Sequence, residues 1–204
     1  MPGADHYFSA SPASPDERQP ARVRLRGRDV DVVTAGGVFS HGRLDLGTQV
    51  LLREVPDPPD GGHVLDLGCG WGPVALAMAH AAPHATVWAL DVNERALDLT
   101  ARNAASLGLA RVRAVRAEDI PADVRFDAIW SNPPIRVGKP VLHELLRSWL
   151  PRLAPDGEAH LVVQRNLGAD SLARWLEGEL GAGFDVSRAA SAKGFRVLRV
   201  ARSA

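Results

Sequence analysis

The chain has 204 residues, with 24 Lys+Arg balancing 24 Asp+Glu, and a single cysteine, Cys69. That length suits one large domain with its own core. The neutral balance excludes a polybasic or acidic tail, and the lone thiol excludes an internal disulfide or a cysteine-cluster zinc site.

In chain order, residues 1–20 carry Pro2, Pro12, Pro15 and Pro20 among Ser and Ala and read as an irregular arm. His6, Tyr7 and Phe8 are candidates to pin it to the body. The arm lacks the apolar stretch of a secretory signal. No apolar run anywhere approaches the ~18 residues of a membrane helix, so the expected compartment is the cytoplasm. Residues 21–60 form an N-terminal extension. Within it, Arg22 to Val33 alternates apolar and charged residues around Gly27, the pattern of a β-hairpin. Arg22, Arg24 and Arg26 would share one face, either a solvated outer face or a stripe for RNA phosphate. A glycine-rich loop from Ala35 to Gly42 carries Phe39. Asp45 to Glu54 has helical spacing, with Leu46, Val50 and Leu51 on one side. Val55 to Gly62, rich in Pro, Asp and Gly, reads as a linker.

Over residues 61–204, strands and helices alternate. The pattern predicts strands at 64–67, 86–90, 112–115, 126–130 and 159–163. Helices are predicted at 74–82, 94–107 and 141–153, with a further helix from an Asp170 N-cap to Leu180. Two closing strands, near 184–188 and 195–200, are joined by a short segment and predict an antiparallel hairpin. The expected fold is α/β. A Rossmann-like, mostly parallel seven-stranded sheet is covered on both faces and ends in an antiparallel hairpin, with the N-terminal hairpin and helix packed on the same body.

Gly68, Gly70 and Gly72 follow the first of these strands and precede a helix. They place bare backbone at the carboxyl end of a strand, where open α/β sheets bind ligands. The dinucleotide fingerprint Gly-x-Gly-x-x-Gly is not met: the third glycine comes one residue early and Pro73 stands in its place. Asp91 ends the next strand, and its two acceptor oxygens match two vicinal hydroxyls. The plainer alternative is an N-cap, a job for which Asn93 competes. Cys69 reads as a small packing residue, because no base is placed near it. The second constellation is Ser131-Asn-Pro-Pro-Ile135, again at a strand end. Consecutive prolines fix φ and remove two amide donors, leaving carbonyls to accept beside the side-chain carbonyl of Asn132. Two rigid acceptors suit an NH₂ group, holding its hydrogens while its lone pair is aimed. With an activated donor, alignment counts for more than a strong base. The plainer alternative is an ordinary Pro-Pro turn.

Asp66-x-Gly68-x-Gly70-x-Gly72 followed by Asn132-Pro133-Pro134 resembles the amino-methylating branch of the class I S-adenosylmethionine-dependent methyltransferases. Gly37-Val-Phe-Ser40, Leu44-Asp-Leu-Gly-Thr-Gln49 and Ser131 to Lys139 are similar to the RsmC/RlmG-type ribosomal RNA guanine-N2 methyltransferases in their small single-domain form. The resemblance implies S-adenosylmethionine as cofactor, no metal, and methyl transfer to an exocyclic amine, with guanine N2 of ribosomal RNA first. Another RNA, a protein glutamine or a small-molecule amine are alternatives with the same chemistry. A non-catalytic cofactor-binding interaction module is the alternative of a different class. A nicotinamide dehydrogenase is disfavoured by Pro73.

By the same resemblance, Asn132, Pro133 and Pro134 position the amine. Asp66 lies near the methionine amino group, and the backbone of Gly68, Cys69, Gly70 and Gly72 faces the cofactor. Thr48 or Gln49 lies near the methionine end, Asp91 takes the ribose hydroxyls, and Glu118 or Asp119 takes the adenine amine. Phe39 lies over the target pocket. Ile135 stands where many members carry a base-stacking aromatic, so stacking falls to Phe39 or Trp130, the latter equally a core residue. Arg136 and Lys139 follow the motif where RNA phosphate would pass, with Arg165 a further candidate. The implied partner is RNA, either ribosomal RNA or a ribosomal subunit. Larger members carry an additional N-terminal domain for which these 204 residues leave no room.

Overall fold

The computed structural model describes residues 16–38 and 42–204, apart from the side chain of Arg136. Phe39 and the aromatic cluster of His6, Tyr7 and Phe8 lie outside the described residues. Strands β1 (Arg18–Leu25) and β2 (Arg28–Ala35) form an antiparallel hairpin, so β1 begins inside the segment read as an arm. Its turn, Arg26-Gly27, has φ of 45° and 84°, the positive values whose twist matches the flanking strands in a two-residue hairpin. The inner face buries Val23, Leu25, Val30 and Val32. On the outer face Arg22 and Arg24 lie 3.9 and 3.8 Å from the cross-strand carboxylates of Asp31 and Asp29. Arg26 leaves that face at the turn, donates to the carbonyls of Leu52 (2.8 Å) and Val55 (3.1 Å), and pairs with Asp57. The arginine stripe is therefore a solvated, paired face.

Helix α1 (Leu46–Glu54) precedes the main sheet. The alternation that follows is β3 (His63–Leu67), α2 (Pro73–Ala81), β4 (Thr86–Leu90), α3 (Glu94–Ser106), β5 (Val112–Val115), β6 (Phe126–Ser131), α4 (Lys139–Trp149), β7 (Leu153–Gln164), α5 (Ala169–Leu180), β8 (Phe184–Ala192) and β9 (Phe195–Arg202). The seven strands run in the order β5-β4-β3-β6-β7-β9-β8. Neighbours from β5 to β7 are parallel, and β9 is antiparallel to both β7 and β8.

Period-two alternation divides the core between the two sheet faces. Val64, Val87, Ala89, Ala128, Trp130, Val162 and Val197 share one cluster with α2, α3, α1 and the hairpin. Leu65, Leu67, Trp88, Leu90, Ile129, Leu161 and Val163 share the other with α4 and α5. Trp130 is thereby a core residue, 1% exposed, with the Arg26 guanidinium 5.6 Å from its ring centroid. The chain leaves β3 towards β4 and leaves β6 towards β7, in opposite directions along the sheet. The carboxyl ends of β3 and β6 therefore flank the switch-point crevice where open α/β sheets bind ligands.

Further boundaries differ from the sequence reading. Helix α4 stops at Trp149, because Pro151 forces a tighter turn over Leu150–Arg152. Strand β7 starts at Leu153, well before 159, and its register against β6 shifts between Phe126 and Ala128. Asp170 is not the N-cap of α5: Gly168, at φ 103°, caps it, and Asp170 lies in the first turn, ion-paired to Arg196. An acid there still complements the helix dipole. Among the described residues no helix is long and apolar enough to cross a membrane.

Candidate cofactor and substrate site

The glycine loop turns directly from β3 into α2. The amides of Gly68 and Cys69 both donate to Leu90 O at 2.9 Å, anchoring the loop to the end of β4. Gly72 caps α2 at φ 95°, with Pro73 opening the helix, where its missing N–H costs nothing. A Cβ on Gly72 would meet Thr100 Oγ1 at 2.9 Å, so close approach as well as φ demands glycine there. Gly68 differs: at φ 84° a Cβ would meet nothing within 4 Å, because the space beside it is the cleft.

That cleft has two chambers. One, at the ends of β4 and β5, is walled by Leu90, Val92, Ala117, Leu145 and Trp149, with Asp91 at its rim. The other, over the glycine loop, is lined by Asp45, Thr48, Cys69, Gly70, Trp71 and Val74. Gly68 and Asn132 line both.

Asp91 is 8% exposed. Its Oδ2 accepts from Gly70 N and its Oδ1 from Asn93 N, both at 3.0 Å. It is not the cap of α3; Asn93 is, accepting from Arg95 N and Ala96 N. Burial pushes the Asp91 carboxyl above its ordinary value, against the pull of these amides. Asp66 is buried beneath the loop, where its Oδ2 accepts from Ala75 N at 2.8 Å. It faces the start of α2 and lines neither chamber. Burial pushes its carboxyl up to about 8. Cys69 is buried with its thiol pushed up by burial, which suits packing over nucleophilic work.

Asn132 follows β6, whose last residue, Ser131, donates from Oγ to Leu67 O at 2.6 Å and ties the corner to β3. The Asn132 Nδ2 donates to Asp45 Oδ2 (2.7 Å) and Thr48 Oγ1 (3.1 Å). A carboxylate only accepts, so it must face the NH₂ side of the amide. The NH₂ group is then engaged, and no donor among the described residues meets Oδ1, which is left able to accept. Asp45 is also the N-cap of α1, its Oδ2 accepting from Thr48 N at 3.1 Å. A methyl group on Gly47 would meet Asp45 Oδ2 at 2.9 Å, Phe195 Cε1 at 3.0 Å and Asn132 Nδ2 at 3.2 Å. This glycine lets α1, β9 and the Asn132 corner close on one point.

The sequence predicts free carbonyls on the two prolines, but both are engaged. Pro133 O accepts from Ile135 N at 2.9 Å and Pro134 O from Val137 N at 3.3 Å. Each carbonyl retains a second lone pair.

Several residues singled out in the sequence do not converge on the cleft. Gln49 is exposed and donates to Leu44 O. Asp119 accepts from Arg116 N, and exposed Glu118 lies 4.0 Å from the Arg116 guanidinium. Ala117 is the residue of that turn that lines the cleft. Ile135 and Lys139 line a separate groove towards α5, together with Leu142, His143 and Leu167. Sequence reasoning missed three residues. Asp45 carried a usable signal, an acid immediately before an apolar helical run. Phe195 carried none beyond being aromatic at a strand start. Trp71, inside the loop, is 1% exposed, and its buried Nε1 has no acceptor among the described residues.

A doubly wound sheet with a glycine loop after its first strand and an Asn-Pro-Pro corner after its fourth is the architecture of the Rossmann-like methyltransferases. The chain belongs to the methyltransferase small domain family, whose model matches residues 29–199. It is 34% identical over 200 residues to the uncharacterized protein YbxB of Bacillus subtilis (strain 168), covering 96% of this chain and 98% of that one. It is 35% identical over 200 residues to ribosomal RNA small subunit methyltransferase C of Pseudomonas entomophila (strain L48), covering 95% of this chain. Among solved structures, the T. thermophilus 16S rRNA N2 methyltransferase RsmC, in complex with AdoMet and guanosine, superposes with a TM-score of 0.77 at 26% identity over 95% of this chain. The chain spans 58% of the Pseudomonas relative and 52% of the T. thermophilus chain.

Proposed function

We propose that this chain transfers a methyl group from S-adenosylmethionine to N2 of a guanine in ribosomal RNA. The observation that carries the reading is the Asn132 amide at the cleft beside the glycine loop, its NH₂ engaged by Asp45 and Thr48 so that its carbonyl oxygen is left to accept. The T. thermophilus relative, solved with AdoMet and guanosine, supplies the substrate class. Ribosomal RNA or a ribosomal subunit is the corresponding partner, and the cytoplasm the corresponding compartment.

The cleft's chemistry fits the cofactor. The apolar wall of Val92, Ala117, Leu145 and Trp149 suits a purine ring, and Asp91 retains lone pairs for ribose hydroxyls. Trp71 lines the other chamber, and its indole N–H, buried without an acceptor among the described residues, would suit a carboxylate. Bound there, S-adenosylmethionine supplies a methyl group already activated by its sulfonium. Asn132 Oδ1 and the second lone pair of Pro133 O then accept the two N2 hydrogens and aim the nitrogen lone pair along the line of transfer. With the cofactor supplying the methyl group, these two acceptors would hold N2 in line for it, and one N2 proton would pass to solvent. In this geometry Asp66 supports the loop-to-helix junction through Ala75 N. We retain Asp91, Gly68, Gly70 and Thr48 as cofactor-side residues.

The test is transfer of deuterated methyl from S-adenosylmethionine to ribosomal RNA from a strain lacking the gene, followed by nucleoside mass spectrometry. Label in N2-methylguanosine is expected. Label in another nucleoside, or in ribosomal protein glutamine after nuclease treatment, replaces guanine N2 as the target.

A further inference from the structure

A second feature lies on the same edge of the sheet as Asn132. Ser131 pairs with Leu161, and β7 continues past that rung to Gln164, which pairs with Phe195. At a rise of roughly 3.3 Å per residue, the β8–β9 turn overhangs the Asn132 corner by about 10 Å. Arg165 N donates to Gly194 O at 2.9 Å, holding the turn against the segment that follows β7.

Between them runs a groove lined by Arg165, Arg188, Lys193 and Arg196, with no carboxylate among its lining residues. Arg196 is held at one side by its ion pair with Asp170. Arg165, Arg188 and Lys193 are exposed, and none has a side-chain acceptor among the described residues. Several other exposed arginines are neutralised locally, Arg22 by Asp31, Arg24 by Asp29 and Arg147 by Glu179. A like-charged cluster left unpaired favours an anion from outside. The floor is built from Ala189, Ala190, Ser191, Ala192 and Gly194. Small residues leave space for a chain's backbone but give no pockets for apolar side chains. At the inner end stands Phe195, a neighbour of Asn132 across Gly47. Cations tracking a backbone beside an aromatic platform are the signature of single-stranded nucleic acid binding.

We propose that this groove binds the phosphodiester backbone of the RNA strand that carries the target guanine. Arg165, Arg188 and Lys193 meet phosphates, and Phe195 stacks on a base at the mouth of the cleft. The proposal rests on the RNA reading above and adds the surface that selects it over a free nucleoside.

The test is fluorescence anisotropy of a labelled twelve-nucleotide oligouridine carrying one guanine, titrated with the chain between about 50 and 200 mM salt. The variant Arg165→Ala/Arg188→Ala/Lys193→Ala is expected to bind at least tenfold more weakly at low salt. Its log–log salt slope should be shallower by about 2, since each lost phosphate contact on a single strand accounts for roughly 0.7. Its S-adenosylmethionine affinity and melting temperature should match wild type, showing that it folds. Arg22→Ala/Arg24→Ala, on the paired face, should bind like wild type. If the triple variant keeps the wild-type affinity and slope, the groove assignment is overturned while the RNA reading stands. If the wild type binds no RNA, both fall. If polyglutamate competes as well as the oligonucleotide, the groove is a protein-docking surface and the proposal is overturned.

Discussion

Removing the Asp45 carboxylate should slow methyl transfer without weakening cofactor binding. In the wild type the Asn132 amide is held by a 2.7 Å bond to a carboxylate and a 3.1 Å bond to a hydroxyl. A bond to a charged partner contributes about 1.5–3 kcal/mol, and the hydroxyl, which both donates and accepts, does not distinguish the two amide orientations. In Asp45→Ala the amide spreads over other rotamers and the flipped orientation. Returning it to the productive geometry then costs up to the lost bond energy. At 1.36 kcal/mol per decade, that is a fall in kcat of about 10- to 100-fold. The same variant loses the N-cap of α1, worth about 1 kcal/mol of stability. Asp45→Asn separates the two effects. Its carbonyl still caps Thr48 N, so stability should stay near wild type, but the bond to Asn132 becomes neutral, and kcat should fall by only about fivefold. The assay is single-turnover transfer of labelled methyl to guanine-containing RNA at saturating cofactor, with S-adenosylmethionine affinity by calorimetry. Transfer by Asp45→Ala within twofold of wild type would refute the claim that this carboxylate orients Asn132.

Two further outcomes follow from the buried carboxylates. Asp66, with its carboxyl raised from 3.8 to about 8 by burial, favours the protonated native state. Its contribution is therefore complete below pH 4 and is lost as pH climbs towards 8, an expected fall of about 4 kcal/mol by pH 7 in the cofactor-free chain. Urea unfolding of Asp66→Asn should show a flatter pH slope over that window, and an unchanged slope would remove Asp66 as its source. Asp91→Asn places an NH₂ against one of two amide donors, Gly70 N or Asn93 N, and so loosens the glycine loop. Calorimetry should show S-adenosylmethionine binding weakened about 10- to 100-fold; an unaltered Kd would contradict the placing of Asp91 on the cofactor side.

What was legible in the sequence was local chemistry. Glycines at 68, 70 and 72 and the prolines after Asn132 impose their backbone geometry wherever they occur, so both corners of the cleft were readable with their strand ends. Strand and helix alternation carried the layer order for the same reason. Relationships between distant segments were not readable. Asp45 was visible as a helix start, but its partner Asn132 stands 87 positions away, and only the folded sheet brings the two together. Glu118 and Asp119 had the right charge after the right strand, yet the Arg116 turn directs both to Arg116. Asp170 carried a capping signal, yet Gly168 caps α5, because the chain enters the helix at φ 103°. The arginines of β1 had a binding-stripe pattern that cross-strand aspartates cancel, whereas the groove cations come from the segment after β7, from β8, from the β8–β9 turn and from β9, and form no pattern in sequence.

The central claim is that the Asn132 carbonyl holds the accepting amine while other residues hold the cofactor. Asn132→Ala assayed side by side for S-adenosylmethionine affinity and for N2-methylguanosine formed in ribosomal RNA tests it most directly. The account predicts a Kd within a few-fold of wild type and loss of the methylated nucleoside. Methylation at the wild-type rate by this variant would contradict it.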